Sequence, residues 1–484
     1  MTDRIDPAVV PATGVVGRRE FVASFAAGVI AMLATSKVVA QDALALHDLP
    51  FGILSRIFTA YIYGYAPVAA WATERIQTAV PDANTVGGRA PVNQFAYSKK
   101  LATPSATTVV RPNADTIYTV AWLDLNEQPM VISLPAVPDR YYLIPLLDAY
   151  TNQFNSTGTR TTGNGPGDYL IAGPRWSGRP PPGITQVIRA PTPTVWVIGR
   201  TLVRGPDDLS AAVAISSQYR LIALDKYGTD YIPPSNVPVT NPEPQFIPPE
   251  GQPATAAEGF AEPTFFQAMQ SVIAANPPPL NQRPLVASFR AVYANADLLT
   301  AQIVNAAQAA MSAALAASAK TVNEWNYQLG IGTYGEHYAL RAGVALFGLG
   351  AVNEEDAVYA SCHTDATGAP LDGSKGNYQI RFPSGQLPPV NPQAFWSITV
   401  YDQNGLLVEN PINRYVAGSE TGLVPDADGS VTIHLRNTAP PSSIPQANWL
   451  PVPDGPFNLT LRMYWPDTAA LNTYEIPAVQ IAGL

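Results

Sequence analysis

The densest group of polar side chains in this 484-residue chain lies at residues 111–118. Four of its members are candidate site residues: Arg111, Asp115 and Tyr118 as catalytic positioning and acid–base groups, and Asn113 as a ligand-binding group. The segment leads directly into a β-branched and aromatic stretch, so a strand would hold these side chains in place. Pro112 predicts an extended backbone at Arg111. The alternative is a turn that satisfies local amides, with Arg111 paired to Asp115.

A second polar group, at residues 148–163, is rich in hydroxyl, amide and aromatic side chains and carries little charge. Its candidate ligand-binding residues are Tyr150, Asn152 and Arg160. Such loops recognise a neutral polar or aromatic ligand by hydrogen bonds and stacking, and the fork of Arg160 could hold a carboxylate. The alternative is a network that ties two loops together, because buried polar groups are usually satisfied within the chain.

His337 is a candidate catalytic group because it follows Glu336 and shares a helix face with Arg341. The alternative is a satisfied histidine of the core or of an interface. Zinc-binding helices space their ligands four residues apart, and no two of the four histidines have that spacing. We therefore expect no three-histidine zinc site, assign no metal, and leave the cofactor unknown.

Two further motifs carry reactive or aromatic groups. Cys362, the single cysteine, precedes His363 and Asp365, but catalytic groups meet in space rather than in sequence, so we expect no nucleophilic thiol. In the C-terminal part, the candidate ligand-binding residues are Trp396, Asn413 and Arg414. The alternative for these three is ordinary turn and strand-surface pairing. The chain lacks a glycine-rich phosphate loop, a dinucleotide fingerprint and a Gly-x-Ser-x-Gly elbow.

The composition excludes several classes of protein. Charged residues make up 13% of the chain, and the net charge of −9 argues against a nucleic-acid partner. A hydrophobic content of 46% argues against disorder, and 48 prolines argue against a mostly helical fold. A small molecule is the expected partner, and the oligomeric state is open, a homo-oligomer included.

The first 40 residues have the pattern of a twin-arginine signal segment. Arg18 and Arg19 precede a short apolar stretch, and Val38-Val39-Ala40 offers a cleavage site. The stretch is too short for a stable membrane span. We therefore predict a periplasmic or secreted protein, with an uncleaved anchor or a chance arginine pair before a helix as the alternatives. A single cysteine allows no intrachain disulfide, so the core must hold the fold.

The spacing of hydrophobic residues along the rest of the chain predicts an α+β multidomain protein. The predicted regions are N-terminal helices at 41–84, an antiparallel β domain at 85–205, a helical region at 206–350 and a C-terminal β-sandwich or jelly roll at 351–484. Within them we expect a long loop at 230–256, a long helix at 297–328 and a type I′ hairpin turn at 402–405.

Three N-terminal motifs together resemble the domain of unknown function 1254: residues 111–118, Asp148-Ala149-Tyr150-Thr151-Asn152, and Gly158-Thr159-Arg160-Thr161-Thr162-Gly163. Residues 395–402, 410–415, 448–451 and 455–457 resemble the domain of unknown function 1214. The resemblance implies a β-rich N-terminal unit, a helical middle and a C-terminal β-sandwich, and it implies no general reaction. Tyr97 stands where relatives often carry histidine.

The candidate residues favour an exported enzyme, a hydrolase in the first instance, that acts on a small neutral or carboxylate-bearing organic molecule. The rival hypothesis is a non-catalytic binding or scaffold protein whose polar motifs connect its domains. If segments 111–118, 148–163 and 410–415 meet in one pocket, the first hypothesis gains. If they lie apart, each is better explained by a structural role.

Overall fold

The computed structural model describes residues 51–84, 87–107, 110–239 and 264–482. The predicted signal segment at 1–40 lies outside the described residues, as does much of the predicted loop at 230–256. Within these ranges a β-rich N-terminal region is followed by a helical middle and by C-terminal β sheets. The coarse mixed α and β architecture predicted from the sequence is thereby confirmed.

Two sheets form the N-terminal region. Their strands are β1 (Ala96–Tyr97), β2 (Thr116–Asp124), β3 (Met130–Leu134), β4 (Tyr142–Asp148), β5 (Gln153–Gly158), β6 (Gly167–Ala172), β7 (Gln186–Arg189), β8 (Thr194–Leu202) and β9 (Arg220–Ala223). Sheet A has the antiparallel order β1-β2-β8-β4-β5, and sheet B has the order β7-β6-β3-β9 with β6 and β7 parallel. Every second residue of these strands is apolar, and such residues, for example Leu123 of sheet A and Ile132 of sheet B, pack together in one core between the two sheets.

Most helices of the middle region pack on the long N-terminal helix, whereas Leu209–Ser216 packs on β2 and β8 and Thr468–Leu471 on the C-terminal core. The helices are α1 (Phe51–Thr78), α2 (Leu209–Ser216), α3 (Thr264–Ala275), α4 (Arg283–Ser288), α5 (Arg290–Tyr293), α6 (Ala301–Ala317), α7 (Tyr338–Gly348) and, near the C-terminus, α8 (Thr468–Leu471). In α1 the residues Ile57, Tyr61, Tyr65 and Val68 recur at helical spacing and are buried. Tyr150, from the loop after β4, joins this helical core.

The long helix predicted at 297–328 is wrong in its second half. Helix α6 ends at Ala317, and strands β10 (Ala319–Val322) and β11 (Trp325–Gln328) form a hairpin. Asn323 and Glu324 both have positive φ angles, 48° and 69°, which suit the tight turn between them. The buried Trp325 and Tyr327 supply the strand with an apolar face.

Two further sheets form the C-terminal region. Their remaining strands are β12 (Ala357–Cys362), β13 (Tyr378–Phe382), β14 (Trp396–Asp402), β15 (Val416–Gly418), β16 (Val431–Arg436), β17 (Trp449–Pro451), β18 (Phe457–Tyr464) and β19 (Gln480–Ile481). Sheet C has the order β10-β11-β12-β18-β14-β15, and sheet D has the order β17-β16-β13-β19. One apolar core lies between sheets C and D.

The turn after β14 differs from the predicted type I′ hairpin. A type I′ turn needs positive φ at both central residues, but of residues 402–405 only Gly405 has one, at 80°. The Asp402 carboxylate accepts hydrogen bonds from the backbone of Asn404 and Leu406 instead. This Asx-type turn places the Gly405 carbonyl against Arg111, 2.8 Å from its backbone nitrogen.

Candidate functional site

Sheet C turns a polar face toward the N-terminal region. Its apolar side chains point into the core with sheet D, so the alternate residues share the opposite face. On the three central strands these are Tyr359 and Ser361 of β12, Thr460, Arg462 and Tyr464 of β18, and Ser397, Thr399 and Tyr401 of β14. Segment 111–115 and the outer face of sheet A lie against this surface.

Arg111 lies directly on that polar face. Its Nη1 donates to Thr460 Oγ1 at 2.6 Å and to Ser361 Oγ at 3.1 Å, and its Nη2 lies 3.2 Å from His363 Nε2. The guanidinium also lies 6.0 Å from the ring centroid of Tyr401. The extended backbone predicted for Arg111 is wrong: its φ is 53°, and the bond to the Gly405 carbonyl outweighs the local preference.

The contact between Arg111 and His363 determines which ring nitrogen of His363 carries the proton. A guanidinium nitrogen only donates, so Nε2 of His363 must accept, which places the ring proton of a neutral imidazole on Nδ1. Partial desolvation of the His363 ring, whose residue is otherwise exposed, and the charge of Arg111 both lower its pKa. Burial likewise lowers the pKa of Arg111, although a guanidinium keeps its charge at any physiological pH. His363 is therefore a neutral proton acceptor beside a fixed positive charge.

Asn113 and Asp115 connect the two β regions. Asn113 Nδ2 donates to the Tyr464 hydroxyl at 2.6 Å, and Ser397 Oγ donates to Asp115 Oδ2 at 2.6 Å. Both residues are buried, and Asn113 also accepts from the Asp115 backbone, as in the predicted turn. Burial raises the pKa of Asp115, against the opposing influence of Arg462 and Ser397. Arg111 does not pair with Asp115 in this arrangement.

Arg462 is a second guanidinium within this interface. It donates to Thr399 Oγ1 at 2.7 Å, to the Tyr401 hydroxyl at 2.6 Å and to the Arg111 carbonyl at 3.0 Å. The rings of Tyr359 and Tyr401 each lie 5.7 Å from its charge. Hydroxyls, one carbonyl and aromatic faces thus surround a buried charge that makes no ion pair within the described residues.

Tyr118 meets a third guanidinium on the outer face of sheet A. It pairs across strands with Arg200, whose charge lies 5.5 Å from the Tyr118 ring. Tyr359 and Tyr464 of sheet C lie close enough to act electrostatically on Arg200. We call Arg111, Tyr118, Arg200, Tyr359, Ser361, His363 and Arg462 the inter-sheet cluster. Its members Arg111, Tyr118, Tyr359 and Ser361 are half-buried and His363 is exposed, so the cluster reaches solvent.

The candidates at 148–163 lie elsewhere. The Tyr150 hydroxyl donates to the Asn276 carbonyl at 2.7 Å, which fixes the loop on the helical core. The Asn152 side chain bonds to the Asp148 carboxylate and to the Tyr334 backbone. Each of these contacts lies within the chain itself, and none joins the inter-sheet cluster.

Arg160 holds a carboxylate of its own chain. Its Nε lies 2.6 Å from Asp356 Oδ1, and the Asp356 side chain is fully buried. Gln153 Nε2 and Ser156 Oγ also donate to Asp356. Arg160 therefore meets a carboxylate of its own chain through one nitrogen rather than through a bidentate fork, at the junction between β5 and the start of β12.

The remaining candidates are dispersed, so segments 111–118, 148–163 and 410–415 do not meet in one pocket, which favours a structural role for segments 148–163 and 410–415 and leaves Arg111 to be judged by its contacts with sheet C. His337 is exposed at the start of α7, and Trp396 is buried in the core between sheets C and D. Asn413 lies in a turn with a φ of 49°, and Arg414 bonds to the carbonyls of Gln446 and Trp449. The cavity beside Arg414 has a volume of about 10 Å³, which is barely the room of one water molecule.

A separate cavity lies in the helical region. It has a volume of about 380 Å³ and is lined by parts of α3, α4 and α5, including Ile273, Val286 and Arg290. None of the candidate residues predicted from the sequence lines it.

Sequence reasoning missed the sheet C half of the inter-sheet cluster. The alternation at 457–464 puts Thr460, Arg462 and Tyr464 on one face, and 359–363 alternates in the same way. That alternation was the available signal for polar residues on a shared face. It could not show which surface they meet, because Arg111 and Thr460 are 349 positions apart.

Within 51–84, 87–107, 110–239 and 264–482, no three His, Cys, Asp or Glu side chains are grouped to hold a metal ion. No helix in the same ranges is both long enough and apolar enough to cross a bilayer.

Two family models match the chain. "Protein of unknown function (DUF1254)" matches residues 92–223, and "Protein of unknown function (DUF1214)" matches residues 356–468. No curated protein matches. The crystal structure of the VPA0106 protein from Vibrio parahaemolyticus is similar over 89% of this chain and all of that chain, with 24% identity and a TM-score of 0.66. The crystal structure of a putative uncharacterized protein from Burkholderia cenocepacia is similar over 95% of this chain and 94% of that chain, with 12% identity and a TM-score of 0.43.

Proposed function

The chain belongs to the family that joins these two domains of unknown function, and we propose that its inter-sheet cluster binds and hydrolyses a small carboxylate-bearing organic molecule. The observation that carries the proposal is the bonding of Arg111. Its guanidinium is held by two hydroxyls and an imidazole, and it forms no ion pair among the described residues. A fixed, half-buried arginine without an acidic partner is suited to an anionic ligand.

His363 supplies the proton chemistry. When Arg111 Nη2 turns from His363 to a ligand carboxylate, Nε2 becomes free to accept a proton. In the hydrolytic step a water oxygen attacks the ligand's acyl carbon while His363 takes the water proton. His363 then returns that proton to the leaving oxygen as the acyl–oxygen bond breaks. The neutral imidazole favoured by partial desolvation and by Arg111 is the form that this step needs.

Two finer features of the protein are part of the same proposal. Export by the twin-arginine route is supported by Arg18 and Arg19 ahead of a short apolar stretch. A β-sandwich description of the C-terminal region is supported by the single apolar core that sheets C and D share. A periplasmic or secreted destination fits both the signal pattern and a fold without disulfides.

Thermal unfolding with a charged and an uncharged probe tests the binding step. Butyrate should raise the melting temperature of the native protein, whereas butyramide, which has nearly the same shape without the charge, should not. Arg111→Met should abolish the response, and Arg381→Met, which removes an exposed arginine paired with Asp428, should retain it. Absence of a butyrate response in the native protein, or its persistence in Arg111→Met, would refute the proposal.

The hydrolytic step has its own assay. The mono-4-nitrophenyl ester of succinate carries one carboxylate and one cleavable acyl bond. We expect release of nitrophenolate by the native protein and a loss of at least about 100-fold in His363→Asn, the usual contribution of a general base. The second candidate function, a binding protein without turnover, is favoured by the burial of Asn113 and Asp115 in interdomain bonds. This binding function without turnover is the correct one if butyrate binds and if the native protein and His363→Asn cleave the ester at equal rates.

A further inference from the structure

Arg200 is a buried charge that the proposed binding step does not use. Its exposed fraction is 7%, it follows Ile198 and Gly199 on β8, and its Nη1 donates to the Ile198 carbonyl at 3.1 Å. Its Nε is buried without a hydrogen-bond partner. The Tyr118 ring lies against the guanidinium at 5.5 Å. The Tyr118 hydroxyl is also within hydrogen-bonding reach of Arg200, but one carbonyl, one hydroxyl and an aromatic face replace only part of the lost hydration of a guanidinium.

The inter-sheet cluster has an excess of positive charge. Arg111, Arg200 and Arg462 contribute three guanidiniums, and none of them forms an ion pair within the described ranges. Asp115 acts electrostatically on Arg462, and it accepts its hydrogen bond from Ser397. The chain as a whole has a net charge of −9, so this local excess runs against its average. Buried charges are normally paired, and two positive charges here lack a counter-charge.

We infer that the ligand is a dianion, a dicarboxylate or a small acid of similar charge, with one anionic group on Arg111 and the other at Arg200 beside Tyr118 and Tyr359. This inference rests on the proposed function, because it assigns the ligand class of the same site. Hydroxyls of the two tyrosines can donate to the second carboxylate, while Arg200 supplies the charge.

The strand under the cluster sets the separation of the two positions. Arg111 bonds at Ser361 and His363, whereas Arg200 lies near Tyr359. These contacts are two to four residues apart along the chain, or about 7–13 Å at the rise of an extended strand. Malonate is too short to reach both arginines, whereas adipate approaches the required span.

Isothermal titration of the full chain with a homologous series tests the inference. The probes are malonate, succinate, glutarate and adipate, with butyrate as the monocarboxylate control, all at physiological ionic strength to screen general attraction. We expect adipate to bind about tenfold tighter than butyrate, the gain of one further charge-assisted contact, and malonate to show no such gain. Arg200→Met should bring the ratio of adipate affinity to butyrate affinity down to that of malonate to butyrate.

The outcomes separate the two proposals. If butyrate binds and adipate binds no tighter, or if Arg200→Met keeps the advantage, the dianion inference is wrong and the carboxylate site stands. If neither acid binds the native protein, both are wrong. Should Arg200→Met fail to fold, Tyr359→Phe replaces it, since loss of one hydroxyl at the second position should reduce the ratio of adipate affinity to butyrate affinity. An unchanged adipate-to-butyrate ratio in Tyr359→Phe would then overturn the inference.

Discussion

The ion pair between Arg160 and Asp356 separates a structural role from the ligand-binding role that the sequence predicted. Arg160 is 25% exposed and Asp356 is fully buried, with Nε and Oδ1 2.6 Å apart. Replacing Arg160 with methionine keeps much of the side-chain volume and removes the charge. Asp356 then keeps its bonds from Gln153 and Ser156 but loses its counter-charge.

The loss of unfolding free energy expected for Arg160→Met follows from the geometry of this ion pair. At 2.6 Å the Coulomb attraction is about 6 kcal/mol with an effective dielectric constant of about 20. The Gln153 and Ser156 bonds and the rehydration of the partly exposed site offset part of it. Breaking a buried pair from one side usually costs about 3–5 kcal/mol, and we expect the lower end, about 3 kcal/mol, for Arg160→Met.

Urea unfolding, followed by tryptophan fluorescence, measures this cost without adding salt. The double variant Arg160→Met/Asp356→Asn should recover most of the loss, because the asparagine carbonyl still accepts from Gln153. The matched control is Glu420→Gln, which removes the exposed Arg204–Glu420 pair at 2.7 Å, also between the N-terminal and C-terminal regions. Such a pair is worth less than about 1 kcal/mol.

A different result would restore the ligand-binding role. If Arg160→Met lowers the free energy of unfolding by less than about 1 kcal/mol and abolishes the thermal response to butyrate, then the reasoning from Asp356 is refuted. The guanidinium would in that case serve the ligand, as the loop composition had suggested.

Two further substitutions test the β framework and the buried acid. Gly158→Ala should lower the free energy of unfolding by about 3 kcal/mol or more, because a Cβ would lie 2.4 Å from the Tyr142 carbonyl oxygen. The control Gly163→Ala has open space around its Cβ and should lower it by about 1 kcal/mol in the same urea titration. Burial raises the pKa of Asp115, so its carboxyl favours the folded state most below its ordinary pKa of 3.8 and loses that advantage as the pH rises through the folded value. The unfolding free energy of Asp115→Asn relative to the native protein should therefore increase from pH 4 to pH 7, and a constant or decreasing difference would contradict the assigned burial.

Local patterns predicted the parts of the fold that depend on local physics. The spacing of Ile57, Tyr61 and Tyr65 indicated α1, and the alternation in 457–464 indicated β18. The end of α6 was missed because β10 pairs with β11 and β11 pairs with the distant β12, contacts that the alanine-rich composition does not encode. Tertiary contacts outweigh intrinsic helix propensity in such segments.

The candidate site was predictable only in part, for a related reason. The polar density of 111–118 identified Arg111 and Tyr118, which the structure brings to the inter-sheet cluster. The Arg111 partners Ser361 and His363 are about 250 positions away, and a single sequence holds no signal for that distance. For Arg160 the sequence correctly indicated a carboxylate partner but not its origin. The carboxylate belongs to Asp356 of the same chain, 196 positions away, and not to a ligand.

The central claim is that Arg111 and His363 form one anion-responsive unit, and a titration of His363 by nuclear magnetic resonance tests it most directly. Comparison with His363→Asn assigns its signal among the four histidines. We expect the pKa of His363 to lie below its usual value of 6.5, because of partial desolvation and Arg111. Saturating butyrate should raise it, since a bound carboxylate neutralises the guanidinium. A His363 pKa that butyrate leaves unchanged would contradict the account.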